Sequence, residues 1–188
     1  MTTRIFALDI GTRSVTGIIL EQQQNKFAVI DYCILEHKER SMYDGQIHNI
    51  VAVSDVVIQV KNELESRHGP LKQVCVAAAG RALKTVQSKA KLDIHQQPIT
   101  DEETIKHLEL SAVQVAQQQL VEQEEQDYEH YYCVGYSVLH YQLDDDIIGS
   151  LIDQKGDEAS VEIIATFLPK VVVESLMAVL QRAGLDME

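Results

Sequence analysis

The chain has 188 residues, with 16 basic and 29 acidic side chains and a formal net charge of −13. This length is enough to bury a core in one or two domains. Because there is no basic cluster to displace counterions from a phosphate backbone, nucleic-acid binding is excluded. The sequence has no apolar run of transmembrane length and no N-terminal charged head followed by an apolar core, which predicts a soluble, cytoplasmic chain.

The first predicted elements are β-strands. Two β-rich runs, Arg4–Ile10 and Val15–Glu21, are joined by a short turn and predict a tight hairpin. After a polar turn, a third run of β-forming residues covers Lys26–Leu35. The chain is therefore expected to open with a three-stranded meander.

The turn of the hairpin carries the residues with the most chemistry. Asp9 stands near the end of the first strand, and Gly11, Thr12, Arg13 and Ser14 follow. A glycine allows a positive φ and a close backbone approach to a ligand, while successive N–H groups and two hydroxyls can form a nest for an anion. The arginine adds positive charge, and the aspartate suits a hydrated Mg²⁺. The alternative is an ordinary hairpin with a glycine turn, because short glycine motifs are weak evidence.

The first helix is predicted by apolar residues at helical spacing, and Gly69–Pro70 ends it. Its stripe consists of Val53, Val56, Val57, Val60 and Leu64. The second helix begins with a predicted capping box between Thr100 and Glu103. Its inward face is expected to consist of Ile105, Leu108, Ala112, Val115 and Leu120.

Two more strands, Tyr131–Leu143 and Ala159–Phe167, are expected after the second helix. A last helix is predicted to begin at Pro169, whose fixed φ suits the first helical position, and to stop at Gly184. Its inward side chains are expected to be Val173, Leu176, Met177 and Leu180.

The sequence predicts no metal site formed by its cysteines and histidines. Cys33, Cys75 and Cys133 are odd in number, lie in apolar runs and are expected to be small buried side chains. The seven histidines have no partner at zinc-ligand spacing. The run 144–146 of three aspartates is expected to be a solvated turn rather than a calcium loop, which would need alternating ligands and a turn glycine.

Six segments spread over the chain carry a resemblance to a known family. They are Asp9–Thr12, Ser41–Ile47, Val74–Arg81, Pro98–Glu103, Glu162–Leu168 and Arg182–Leu185. In this order they resemble the bacterial cell-division FtsA family of the actin-like ATPase superfamily. The first segment is similar to the phosphate-binding motif of that superfamily, and the others are similar to markers of its fold.

The resemblance implies an α/β fold with two parts. Residues 1–83 and 169–188 would form an incomplete ribonuclease-H-like nucleotide-binding subdomain, the upper subdomain of the actin family. Residues 84–168 would form the inserted strand-helix-strand-strand subdomain, which makes protein contacts.

The resemblance also implies ATP and Mg²⁺ as cofactors. Asp9 would hold Mg²⁺ through water, Gly11 would permit the turn, Thr12 and Ser14 would donate to the phosphates, and Arg13 would clamp their charge. No second phosphate hairpin is found in the sequence. The chain is therefore expected to be an N-terminal part with half of a nucleotide site, inactive by itself, of a full-length weak ATPase.

The partners implied by the resemblance are further copies of the chain, contacted through the inserted subdomain, and a tubulin-like FtsZ filament bound by regions outside these residues. A C-terminal amphipathic helix, also outside them, would hold the protein at the inner face of the cell membrane.

Several alternatives remain open. The loop Ile147–Gly156 is longer than its counterpart in the family and lacks the proline found there, and Arg13 stands at a variable position. A pilus-assembly homologue of the PilM type is therefore a second candidate. Sugar and acetate kinases share the first hairpin, but no catalytic motif places a carboxylate here. A pure interaction module with a vestigial hairpin is the third alternative.

Overall fold

The computed structural model describes residues 3–43, 45–77, 83–124 and 131–187. In chain order the elements are β1 (Arg4–Ile10), β2 (Ser14–Gln23), β3 (Lys26–Glu36), β4 (Met42–Tyr43), β5 (Gln46–Ile47), α1 (Ile50–His68), β6 (Gln73–Ala77), β7 (Lys84–Asp93), α2 (Glu102–Glu124), β8 (Tyr131–Leu143), β9 (Asp146–Ile148), β10 (Glu158–Pro169), α3 (Lys170–Arg182) and β11 (Asp186–Met187). The last residues of the family-like segment Val74–Arg81, from position 78 on, lie outside the described residues.

The chain divides into two compact units. The first unit contains residues 1–82 and 171–188, and the second contains residues 83–170. Each unit has its own sheet and its own buried apolar cluster. Among the described residues, no helix is long and apolar enough to cross a membrane.

The first unit is built on a five-stranded sheet in the order β11-β6-β1-β2-β3. The meander β1-β2-β3 is antiparallel, and β6 runs parallel to β1. Alternate residues of β1, among them Phe6 and Leu8, are buried, whereas Asp9 between Leu8 and Ile10 is exposed. The three predicted strands are confirmed, with bounds that differ by at most a few residues.

Helix α1 covers the core face of this sheet. The Asn49 side chain accepts a hydrogen bond from the Ala52 N–H at 3.1 Å and caps the N-terminus. Gly69 ends the helix with a φ of 80°, a conformation that glycine adopts without strain. The predicted stripe from Val53 to Leu64 is confirmed, because all its members are buried.

The predicted inward face of α3 is partly wrong. Val179 and Leu180 are buried in the first unit, whereas the side chain of Met177 is 56% exposed. The buried stripe therefore lies further round the helix than the sequence indicates. Sequence periodicity gives the width of an apolar stripe, but packing in the core of the first unit selects its orientation.

The second unit packs α2 on an antiparallel sheet in the order β7-β10-β8-β9. Its core joins one face of the helix with alternate residues of β10: Leu108, Ala112, Ala116 and Leu120 against Val161, Ile163, Ala165 and Phe167. The expected inward residue Val115 is only half-buried, and its neighbour Ala116 takes the core position.

The predicted capping box at Thr100 is wrong. Helix α2 begins at Glu102, and the Asp101 carboxylate accepts from the Thr104 N–H at 2.7 Å. Because the helix begins later in the sequence, aspartate supplies the cap. The hydrogen bonds to Thr104 hold the pKa of the Asp101 carboxyl below its usual value.

The cysteine prediction holds only in part. Cys33 and Cys75 are half-buried, whereas Cys133 is exposed on β8 and is not the buried side chain expected from its apolar neighbours. Among the described residues, no group of three potential metal ligands comes together.

Helix α1 packs closely on the sheet at Gly17 of β2. A Cβ placed there would lie 2.5 Å from Val60 Cγ1 and 2.9 Å from Leu64 Cδ1, both on α1. We expect Gly17→Ala to lower the free energy of unfolding by about 1–3 kcal/mol, because the helix must move away from the sheet. Urea denaturation measures this effect.

The matched control is Gly135→Ala in β8, where a Cβ would have no neighbour within 4 Å. This substitution should be neutral or stabilise the chain by up to about 1 kcal/mol, since alanine is less flexible than glycine in a strand. Equal effects at the two positions would contradict the close contact of α1 with β2.

Candidate anion-binding turn

The turn between β1 and β2, together with the strand ends on either side of it, contains the residues that the sequence singles out. Gly11 donates its N–H to the Ser14 carbonyl oxygen at 3.0 Å, so this N–H is not available to a ligand. The expected positive φ at Gly11 is wrong, because the described glycines with positive φ are at other positions. Glycine is favoured here for space: a Cβ would lie 3.2 Å from the Ser14 carbonyl oxygen.

Three side chains of the turn have free polar atoms. Asp9 lies across from Thr16 in the hairpin register, near the end of a strand that is central in its sheet. The Asp9 carboxylate and the hydroxyls of Thr12 and Ser14 have no side-chain partner within the described parts of the chain. Asp9 and Thr12 are exposed and Ser14 is half-buried, so solvent or a ligand can reach them.

Arg13 already has a partner. Its guanidinium lies 3.0 Å from a carboxylate oxygen of Glu36 on the neighbouring β3. The two side chains are 84% and 64% exposed, so the pair contributes little to stability. Glu36 is therefore a competitor for the positive charge that the sequence assigns to the anion.

His37 lies beside the turn, although no motif in the sequence singles it out. It follows β3, and its backbone N–H donates to the Arg13 carbonyl oxygen at 3.0 Å. Its ring Nε2 lies 3.1 Å from the Gly11 carbonyl oxygen. A signal exists in the predicted meander, because the pairing of Ser14 with Glu36 at the end of β3 sets the residue after that strand beside the turn.

The carboxylates near the turn favour binding of an anion together with a cation. Backbone N–H groups and hydroxyls attract a phosphate, but the carboxylates of Asp9 and Glu36 repel it. A divalent cation between Asp9 and the phosphate would convert this repulsion into attraction. The exposed carboxylate is a suitable ligand for Mg²⁺, which keeps most of its water shell.

The sequence matches no known family model and no curated protein sequence. Among solved structures, the fold is similar to a chain of the "PilM-PilN type IV pilus biogenesis complex", with a TM-score of 0.64 and 13% sequence identity. The likeness covers 97% of this chain and 45% of that chain. It shows that the two chains share a mixed α/β fold, and it does not single out the FtsA family.

The pair formed by Arg13 and Glu36 makes the turn testable as an anion site. We expect Glu36→Gln to tighten the binding of inorganic tripolyphosphate about two- to five-fold at low salt, because it releases the guanidinium and removes a repelling charge. Titration of the Thr12 amide signal by NMR measures this change.

Glu21→Gln is the matched control, since Glu21 pairs with Arg4 at 3.0 Å near the other end of β2. It removes the same charge at a distance from the turn and should leave the affinity nearly unchanged. An equal gain in both variants would indicate a general charge effect, and no gain in either would count against anion binding at the turn.

Proposed function

We propose that this chain is the N-terminal part of an actin-like ATP-binding protein, and that the β1–β2 turn binds the phosphates of Mg-ATP. The observation that carries the proposal is the turn itself, which offers free hydroxyls and an exposed carboxylate at one end of a sheet in an actin-like fold. Residues 1–83 and 169–188 then form the ribonuclease-H-like nucleotide-binding subdomain.

Each residue of the turn has a defined role in this proposal. Asp9 holds Mg²⁺ through water, Thr12 and Ser14 donate to the phosphates, and Gly11 keeps the turn tight. Arg13 contributes its charge when it leaves Glu36. Bound Mg²⁺ would supply charge compensation between the phosphates and the protein.

The affinity of the 188-residue chain should be low. A single turn provides few hydrogen bonds to a strongly hydrated triphosphate, and most of their free energy is lost to desolvation and to ordering of the ligand. We expect a Kd of about 1 mM, which corresponds to about −4 kcal/mol. A submicromolar Kd for ATP would contradict the proposal that this chain carries only half of a nucleotide site.

The role of Asp9 gives a sharper test. Chelation of Mg²⁺ should weaken ATP binding by the wild-type chain, whereas Asp9→Asn should bind ATP weakly with or without Mg²⁺. Asp55→Asn on the exposed face of α1 makes the same charge change and should keep the Mg²⁺ dependence. NMR titrations with and without a chelator measure all three proteins, and a persisting Mg²⁺ effect in Asp9→Asn would refute the role.

Two cellular roles are compatible with this biochemical function. In the first, the full protein acts in bacterial cell division as an FtsA-like protein, polymerises through residues 84–168 and tethers an FtsZ ring at the inner face of the membrane. Exposed apolar side chains of the second unit, such as Leu139 and Ile147, favour such self-contacts. In the second, the protein takes part in pilus assembly, which the likeness to the PilM–PilN structure favours.

Partner binding by the full protein separates these two roles. Cosedimentation with polymerised FtsZ from the same organism is the expected result for a division protein. Calorimetric binding of PilN from that organism, without binding of FtsZ, is the expected result for a pilus-assembly protein. Binding of neither partner would contradict both roles and leave ATP binding to be judged by the Asp9 experiment.

A further inference from the structure

His37 contacts the turn at two of its carbonyl groups. Its backbone N–H donates to the Arg13 carbonyl oxygen, and its ring Nε2 lies 3.1 Å from the Gly11 carbonyl oxygen. A carbonyl oxygen only accepts hydrogen bonds, so Nε2 must carry the proton in this contact. The other ring nitrogen, Nδ1, is buried and has no hydrogen-bond partner among the described residues.

The contact of the ring replaces a bond that a hairpin of this kind ordinarily contains. In a closed antiparallel pair, two facing residues exchange both of their N–H···O bonds. Here Gly11 donates to Ser14, but the return bond from the Ser14 N–H to the Gly11 carbonyl is not formed. The Gly11 carbonyl is instead taken by His37, which leaves the Ser14 N–H without this partner.

The direction of the carbonyl groups fixes the direction of the donors. In a trans peptide the C=O and the N–H of the next residue point in opposite directions. Since the Gly11 and Arg13 carbonyls are both held by His37, the N–H groups of Thr12 and Ser14 point away from it. The Thr12 N–H makes no backbone hydrogen bond within the described parts of the chain.

We infer that His37 is a positioning residue of the anion site. By holding the Gly11 and Arg13 carbonyls, it aims the N–H groups of Thr12 and Ser14 together at one anion. This inference rests on the proposed function of the turn as a phosphate site. It adds a residue that does not touch the ligand and acts through the backbone.

Substitution of His37 with and without an N–H donor tests this role. His37→Phe keeps a ring and the backbone bond to Arg13 but removes the donor to Gly11. His37→Gln restores an amide donor near the place of Nε2. His48→Phe is the matched control, because His48 is an exposed histidine of the same unit. Each chain is titrated with inorganic tripolyphosphate in excess Mg²⁺ at neutral pH, and the amide signals of Thr12 and Ser14 are followed by NMR.

The expected result is a loss of affinity of about five-fold in His37→Phe, the effect of one lost hydrogen bond. His37→Gln should regain the wild-type affinity to within about two-fold, and His48→Phe should not change it. A purely structural role would not give this rescue at equal melting temperature. Unchanged affinity in His37→Phe, or a folded His37→Gln that binds no better than His37→Phe, would overturn the inference.

A second measurement covers variants that fail to fold. The protonated ring nitrogen of wild-type His37 is identified from its ¹⁵N signals, and an unprotonated Nε2 in the neutral ring would overturn the inference by itself. If tripolyphosphate with Mg²⁺ leaves the Thr12 and Ser14 signals of the wild type unmoved, the proposed function fails. The contact of His37 with the turn is then judged from the chemical shifts of the Thr12 and Ser14 amides without ligand. His37→Phe should change these shifts, and His37→Gln should restore the wild-type values.

Discussion

The first unit depends on the direct contact of helix α1 with strand β2 at Gly17. Without a side chain at this position, the Val60 and Leu64 side chains reach the sheet itself and lie beside Phe6. The helix can then cover β1 as well as β2, and the core side chains of both strands are withdrawn from water. A firmly held β1 keeps the turn that follows it in a fixed place, which a binding site on a loop needs.

Local sequence signals were reliable where one face of an element is fully covered. The alternation in β1 and the stripe of α1 predicted both elements correctly, because burial of those faces imposes a period of two or of about 3.6 residues. Where coverage is partial, the prediction was less accurate: Met177 is exposed although it fits the stripe of α3. The misplaced cap of α2 has a different origin, since Thr100 and Asp101 can both cap a helix and the capping-box pattern with Glu103 favoured Thr100 over Asp101.

The candidate site was also predicted only in part from the sequence. Asp9 and the four turn residues could be singled out from sequence because glycine, hydroxyl and carboxylate groups stand together between two strands. Their hydrogen bonds and ion pairs could not be predicted from sequence, because these depend on β3, which is more distant in the chain. Glu36 and His37 reach the turn only through the pairing of β2 with β3. Glu36 pairs with the guanidinium of Arg13, and His37 contacts the Gly11 carbonyl oxygen, so both groups are less available to a ligand.

The charges around the turn also limit what it can bind. The chain is strongly acidic as a whole, with a net charge of −13, so a free polyanion meets general repulsion at low salt. A ligand that arrives with its own divalent cation carries less negative charge and offers that cation to Asp9. This favours metal-complexed phosphates over bare ones, and it makes Arg13 a secondary contributor while Glu36 holds it.

The discontinuous make-up of the first unit has a consequence for biosynthesis. Val179, Leu180 and Leu185 belong to the same core as Val74 of β6, but residues 83–170 lie between them in the chain. At about 5–20 residues per second, a ribosome needs on the order of ten seconds to add this intervening stretch. During that time the early meander and α1 stand with part of their apolar surface uncovered. The second unit, which is continuous in sequence, can complete its own core first, and the emerging meander is then the natural substrate for a ribosome-associated chaperone.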